Sequence, residues 1–259
     1  MRATFLSFGT LVALFVALPI FVVLPMSLST SPSLEFPPPG YGTAHYLQFF
    51  RDVTWTGPLI NSFVIAVGST ILTMFLVTPA AFAMVRHDFR GRTLINLLLL
   101  TPLIVPHIVI AVGYFTYFAK LHLLQTYAGV VLAHVCLTSP VAFLTISAGL
   151  KGFDRNYERA AQSLGAPPLL AFFVVTLPIL RVAFLVSAVL SFVHSFDETT
   201  VALFISGRDV ATLPKRMFDA IRLQADPVIS VASSLLFGVV LVVFAVAMLR
   251  QYLARRAAR

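Results

Sequence analysis

The amino-acid sequence predicts an all-α membrane protein with six transmembrane helices, and three observations carry that prediction. Of its 259 residues 59% are hydrophobic and 11% charged, where soluble globular chains are about a quarter charged. Charge-free runs recur at Ala3–Leu34, Val53–Val85, Thr93–Ala119, Leu121–Leu150 and Pro227–Leu249, each at or above the roughly 20 residues an α-helix needs to cross the hydrocarbon. The basic residues are also shared unequally between the segments that alternate sides, as the positive-inside rule requires.

These observations predict a single transmembrane domain over 1–259, with spans near 4–28, 59–85, 94–119, 127–150, 178–204 and 228–250 and a cytoplasmic loop at 151–177. With the N-terminus inside, twelve Lys and Arg fall on inner segments: Arg2, Arg86, Arg90, Arg92, Lys151, Arg155, Arg159, Arg181, Arg250, Arg255, Arg256 and Arg259. Both termini are then cytoplasmic. Arg208, Lys215, Arg216 and Arg222, grouped in an outer loop with Asp209, Asp219 and Asp226 among them, run against the bias. The net charge of +8 reflects these membrane flanks, so nucleic acid is not expected as a partner.

Taken in order, the first span is apolar from Phe5 to Leu28, well beyond the 7–15 residues of a signal-peptide core, and is expected to stay as an anchored helix. Segment 29–58 holds Pro32, Pro37, Pro38, Pro39, Gly40 and Gly42 with Tyr41, Tyr46 and Trp55, the composition of an external loop with interfacial aromatic anchors. The second span ends in a short basic loop, RHDFRGRT, at 86–93. In the third, Pro102 and Pro106 permit a kink, and His107 shares a helical face with Tyr114. In the fourth, His134, Thr138 and Thr145 form a polar stripe suited to helix–helix hydrogen bonding. Cys136 is the only cysteine, which excludes a disulfide framework and a Cys-rich metal site.

The stretch YERAAQSLGAPPLLAFFVVTLP, Tyr157 to Pro178, interrupts this pattern. Ala160–Leu180 is uncharged and 21 residues long, yet Gly165 suits a left-handed helix end and Pro167 and Pro168 suit the first turn of another helix. Two short helices with a bend are expected. Tyr157, Ala160, Ala161 and Leu164 fall on one face, with Glu158, Arg159 and Gln162 on others. A small-residue face of this kind fits either a groove on another protein or the inner leaflet of the membrane.

The fifth span carries Ser187, Ser191, His194, Ser195 and Glu198 in a polar stripe with Asp197 beside it. An ionised carboxylate at the bilayer centre costs about 3 kcal/mol. Nineteen residues beyond Pro178 is roughly 28 Å of helix, close to the full hydrocarbon thickness. Asp197 and Glu198 therefore belong either to a substrate path or to its hydrated outer mouth, with His107, Tyr114, Ser191, His194 and Ser195 as further candidates for the path. Pro214–Leu223 reads as a short amphipathic helix with Met217, Phe218 and Ile221 on one side. Asp226 and Pro227 read as the N-cap and first position of the last helix.

The 157–178 segment resembles the EAA loop of bacterial ABC importer permeases, whose pattern is Glu-Ala-Ala, three residues, Gly, and nine more before Ile-x-Leu-Pro. Ala160, Ala161, Gly165, Leu177 and Pro178 stand at matching positions and Val175 replaces the Ile. At the glutamate position stands Arg159, with Glu158 one residue earlier. KGFDRNYERAAQSLGA and SFDETTVALFISGRDVATLPKRMFDAI are similar to the branch that includes the second permease of spermidine/putrescine importers. The resemblance implies a six-helix importer permease (MetI-like) core. It also implies that Tyr157, Glu158, Arg159, Ala160, Ala161, Leu164 and Gly165 couple to an ATPase. The implied partners are a second permease, forming a heterodimer with this one, two ATP-binding subunits and a periplasmic or extracellular substrate-binding protein. The implied location is the inner (plasma) membrane of a bacterium.

The chain has no G-x-x-x-x-G-K-[ST] phosphate loop, H-E-x-x-H or G-x-S-x-G, so it is not expected to be an enzyme, and ATP and Mg²⁺ would belong to a partner. No cofactor or metal is expected on this chain. Carboxylates and aromatics along a path suit an organic cation such as a polyamine. Polyamine members of the family carry an acid after the proline where His107 stands here, which leaves a zwitterionic amine, an anion, a metal or another small solute open. A secondary transporter using Asp197, Glu198 and His194 as an ion relay is the rival from another class.

Overall fold

In a computed structural model, which describes residues 2–223 and 226–257, the secondary structure of those residues is helical apart from one isolated β-bridge between Ser29 and Tyr41. The chain divides into two compact units, Met1–Thr56 with Arg216–Arg259, and Gly57–Lys215. The helices in order are α1 (Arg2–Ser27), α2 (Ala44–Arg51), α3 (Val53–Arg86), α4 (Arg92–Ile104), α5 (His107–Lys120), α6 (Tyr127–Lys151), α7 (Asn156–Ser163) and α8 (Pro168–Ala171). A π-helical turn, Phe172–Thr176, leads to α9 (Leu177–Ile179), α10 (Arg181–Asp197), α11 (Thr200–Ile205), α12 (Leu213–Leu223) and α13 (Val228–Ala257). Val53–Arg86, Tyr127–Lys151 and Val228–Arg250 are each long and apolar enough to cross a bilayer, and two bent pairs meet the same test when each pair is taken together.

The bends correct two expected spans. The run 94–119 is not one helix: α4 and α5 meet at 105°, with Val105 extended (ψ 130°) ahead of Pro106, because a residue before proline is driven out of the helical region. The 178–204 span is likewise divided. α8–α9 meets α10 at 81° at Leu180, and Thr200–Ile205 forms the separate helix α11. Pro178 has no N–H and crowds the carbonyl four residues back; the π turn just upstream absorbs that mismatch. The second span begins earlier than expected, at Val53, where Asp52 accepts from the Thr54 N–H at 2.8 Å and supplies the cap.

In the first unit, α13 packs on α1 and α2, and Tyr46 hydrogen-bonds both Ser27 (2.9 Å) and Ser234 (3.2 Å). Trp55 is fully buried; its indole N–H donates to Asp226 at 3.3 Å, and the Arg216 guanidinium lies 4.7 Å from its ring centre. Asp226 also accepts from the Val228 N–H at 3.0 Å, the capping expected of it. The amphipathic helix α12 forms, but Ala220 is its buried residue in this unit while Ile221 is 59% exposed.

In the second unit α6 is the central helix and contributes to two apolar clusters. One joins Ile65, Ala111, Phe118, Val130, Ala133, Leu137, Val201, Ile205 and Val210. The other joins Val77, Ala81, Met84, Ala142, Phe143, Ile146, Leu150 and Phe184. Buried polar pairs tie the helices: Thr73 to Thr138 at 2.7 Å, and His134 Nδ1 to Ser195 Oγ at 2.8 Å. At the other end of α3, Asn61 donates to the carbonyls of Asp209 and Ala211, both at 3.0 Å, and the Ser62 hydroxyl accepts from the Leu213 N–H.

α6 and α10 approach closely because Gly149 has no side chain; a Cβ there would lie 2.8 Å from the Cβ of Ala183. Small residues permit such approach between membrane helices. Gly149→Leu is expected to cost about 1–3 kcal/mol through overpacking, read as a lower midpoint of thermal unfolding in detergent than for Gly149→Ala.

Candidate functional site

The elbow between α6 and α10 is built around a buried carboxylate. Glu158, in the first turn of α7, is 7% exposed. Its Oε1 accepts from Arg86 Nη2 at 2.8 Å and from the Thr176 hydroxyl, and its Oε2 accepts from Arg86 Nη1. Arg86 itself lies over the Phe82 ring at 4.4 Å. The end of α3, the elbow helix and the π turn are thus joined at one point. Burial pushes the Glu158 carboxyl up, but hydrogen bonds from Arg86 and Thr176, with the Arg86 and Arg155 charges, outweigh it and hold the group below its ordinary value.

α7 ends as its sequence requires. Gly165 takes φ +93°, its N–H donates to the Gln162 carbonyl at 2.9 Å, and the Ala166 N–H donates to Ala161 at 3.1 Å; this is a Schellman closure. With Glu158 turned inward, the opposite side is presented outward. Tyr157 is 58% and Leu164 91% exposed, and Arg159, Ala160 and Gly165 are exposed beside them. Ala161 is half-buried. The inward turn of Glu158 separates it from the other six residues singled out in this loop.

A second feature is a cavity of about 390 Å³ lined by His107, Val141, Leu190, Val193, His194, Asp197, Glu198, Thr199 and Thr200. The His107 and His194 rings stand edge to face with centres 6.1 Å apart, and His107 Nδ1 is 3.9 Å from Glu198. The break in the helix after Asp197 makes this geometry. Glu198 turns back to accept the Thr200 and Val201 N–H groups at 3.1 and 2.9 Å, capping α11, so its charge is committed to backbone donors. Asp197 is exposed, and its carboxylate has no hydrogen bond or ion pair among the described residues.

Three expected path residues lie elsewhere. Ser191 and Ser195 are buried with Ser187 along α10, the helix that packs most closely on α6, and Ser195 is spent on His134. Tyr114 packs into the apolar cluster beside Phe118, ring centres 4.9 Å apart. A stripe with four-residue spacing marks one helix face and does not say what covers it; His194 and Asp197 lie on a neighbouring face. Arg86 and Thr176 were not visible as members of the elbow, because 72 and 18 residues separate them from Glu158.

Long apolar helices, two of them as sharply bent pairs, define the class as a multi-span membrane protein. The chain belongs to the family of binding-protein-dependent transport system inner membrane components, whose model matches residues 76–259. It is 32% identical over 208 residues to the putrescine transport system permease protein PotI of Escherichia coli K12, covering 78% of this chain and 74% of that protein. It is 25% identical to the molybdate/tungstate transport system permease protein WtpB of Pyrococcus abyssi, covering 93% and 92%. A bacterial ABC transporter that imports the acidic polysaccharide alginate has a similar fold, with a TM-score of 0.74, 15% identity and coverage of 97% and 96%. The protein is a permease subunit of an ABC importer, without catalytic activity of its own. Family membership implies a membrane complex with a partner permease, an ATPase and a substrate-binding protein.

Removing one member of a buried ion pair costs about 3–5 kcal/mol because the other charge is left unpaired. Arg86→Met should therefore free α7, read as faster tryptic cleavage at Arg155 or Arg159, and Arg86→Met with Glu158→Leu should restore much of the protection. The lowered folded-state value of Glu158 makes its stabilisation complete above its ordinary value of 4.5 and lost as pH falls through the depressed one. A spin label at Ser163 should gain mobility in that acid window in the wild type, and not in the double variant.

Proposed function

We propose that the chain is one half of the membrane pore of an ATP-driven importer, and that α7 seats in a groove of an ATP-binding subunit. The supporting observation is the split of α7 into an anchored side and an exposed side. The Glu158–Arg86 pair makes the elbow rigid with α3, so a push on Tyr157, Ala160, Ala161 and Leu164 is delivered to the helices rather than absorbed by a loose loop. Arg159 and Gly165 border that surface. The spans cross six times with both termini cytoplasmic, and the assembly pairs this permease with a second, different one, two ATP-binding subunits and a substrate-binding protein.

The cavity supports a small organic cation as the solute, with a polyamine such as putrescine the leading substrate. Asp197 is its exposed carboxylate, and His107 and His194 line the same cavity as hydrogen-bonding and ring surfaces. Glu198 contributes by shaping the cavity wall, and Tyr114, Ser191 and Ser195 by packing the helices that frame it. Resemblance alone does not choose the solute, since one relative transports an oxyanion. An oxyanion would meet the exposed Asp197 carboxylate here.

Hydrogen bonds to charged groups contribute about 1.5–3 kcal/mol, which is roughly tenfold or more in a rate or affinity. Asp197→Asn is expected to lower putrescine uptake by that factor in cells carrying the complete transporter, with complex assembly unchanged. Ala161→Asp should abolish uptake and the recovery of the ATP-binding subunit with the purified permease. Uptake that survives deletion of the ATP-binding subunit and collapses with a protonophore would overturn the reading in favour of an ion-coupled transporter.

A further inference from the structure

A larger cavity, about 590 Å³, lies away from the solute cavity, between the end of α3, the start of α4 and the end of α6. Its wall is apolar, with Met84, Val85, Leu100, Phe143 and Leu144. Its rim is polar and cationic: Arg92 opens α4, Lys151 closes α6, and Thr93 and Asn96 stand between them. Arg92 and Lys151 are terminal residues of two packed membrane helices, so both sit at one membrane–water boundary, the cytoplasmic one in the topology proposed above.

The charges at this rim are available. Arg92 pairs with Asp88, but that carboxylate is 95% exposed, and exposed pairs of this kind exchange readily for other partners. Lys151 and Asn96 have no hydrogen bond or ion pair among the described residues. Ser147, which also lines the cavity, has a buried hydroxyl with no partner there. A hydrocarbon wall roofed by two cations and several donors fits a molecule with an anionic oxygen-rich head and an apolar tail.

We propose that this groove is a binding site for an anionic phospholipid, with the phosphodiester on Arg92, Lys151 and Asn96 and an acyl chain along Leu100, Phe143 and Leu144. A soluble phosphate would satisfy the rim and leave the wall uncovered, and a zwitterionic lipid would bring a second cation to a cationic rim. Because α4 continues to the break at Pro106 and α6 to the elbow, an occupant here braces the two helices against one another.

The test is native mass spectrometry of the purified transporter complex in micelles containing phosphatidylglycerol, compared with phosphatidylcholine. The wild type is expected to retain one more phosphatidylglycerol than Arg92→Gln/Lys151→Gln. Each basic residue contributes about 1 kcal/mol toward an anionic surface, so retention at that site should fall roughly tenfold or more in the double variant. The charge-preserving Arg92→Lys/Lys151→Arg complex should retain the lipid, which separates loss of charge from loss of fold. Ala148→Trp, which fills the groove and keeps both charges, should also displace the lipid. Equal retention by the wild type and the glutamine variant would overturn the proposal. So would phosphatidylcholine held as firmly as phosphatidylglycerol, or glycerol 3-phosphate competing as well as the intact lipid, which would assign the rim to a soluble anion.

Discussion

The buried pair between Arg86 and Glu158 is the constraint on which the elbow end of the second unit depends. It joins the last residue of α3 to the first turn of the elbow helix, and the Thr176 hydroxyl brings the π turn to the same carboxylate. A buried ion pair is weak evidence for net stability, since desolvation offsets much of the attraction. Its value here is positional. The two hydrogen bonds to one guanidinium fix both the height and the rotation of α7, and the rotation decides that Tyr157 and Leu164 face outward.

The same logic governs the helix breaks. In hydrocarbon a freed backbone group has no water to bind, so irregular backbone persists only where protein satisfies it. After α10 the chain breaks and Glu198 supplies the missing partners for Thr200 and Val201. After Ser206 the loop is held by Asn61 and Ser62 from α3. At Pro178 the mismatch is spread over one π turn. The breaks before His107 and after Asp197 also place these two residues, with Glu198, in the wall of one cavity.

Much of the architecture was legible in residue order. Helix content, the apolar runs and the left-handed closure at Gly165 follow from local chemistry, as does the Asp226 cap. The bends at Leu180 and Val105 were only partly visible: proline announces a permitted kink, while its angle depends on what packs on either side. The stripe expected on α10 divides: Ser187, Ser191 and Ser195 are buried along the helix, while His194 lines the cavity with Asp197 and Glu198. Spacing defines a face modulo one turn; the neighbour that covers it comes from elsewhere in the chain.

The sequence by itself determined that this chain lives in a membrane, that it carries no catalytic or nucleotide-binding motif, and that residues 157–178 form a bent elbow. Those properties rest on composition and on interactions within a few residues, which every copy of the same local sequence shares. Only the tertiary structure decided that Glu158 points inward to Arg86, that Glu198 is consumed as a helix cap while Asp197 is left exposed at the cavity, and that Arg92 and Lys151 close over one groove. Each of those outcomes pairs groups whose meeting is set by the packing of whole helices, and the energy of a charge depends on the partner it meets and not on its place in the chain.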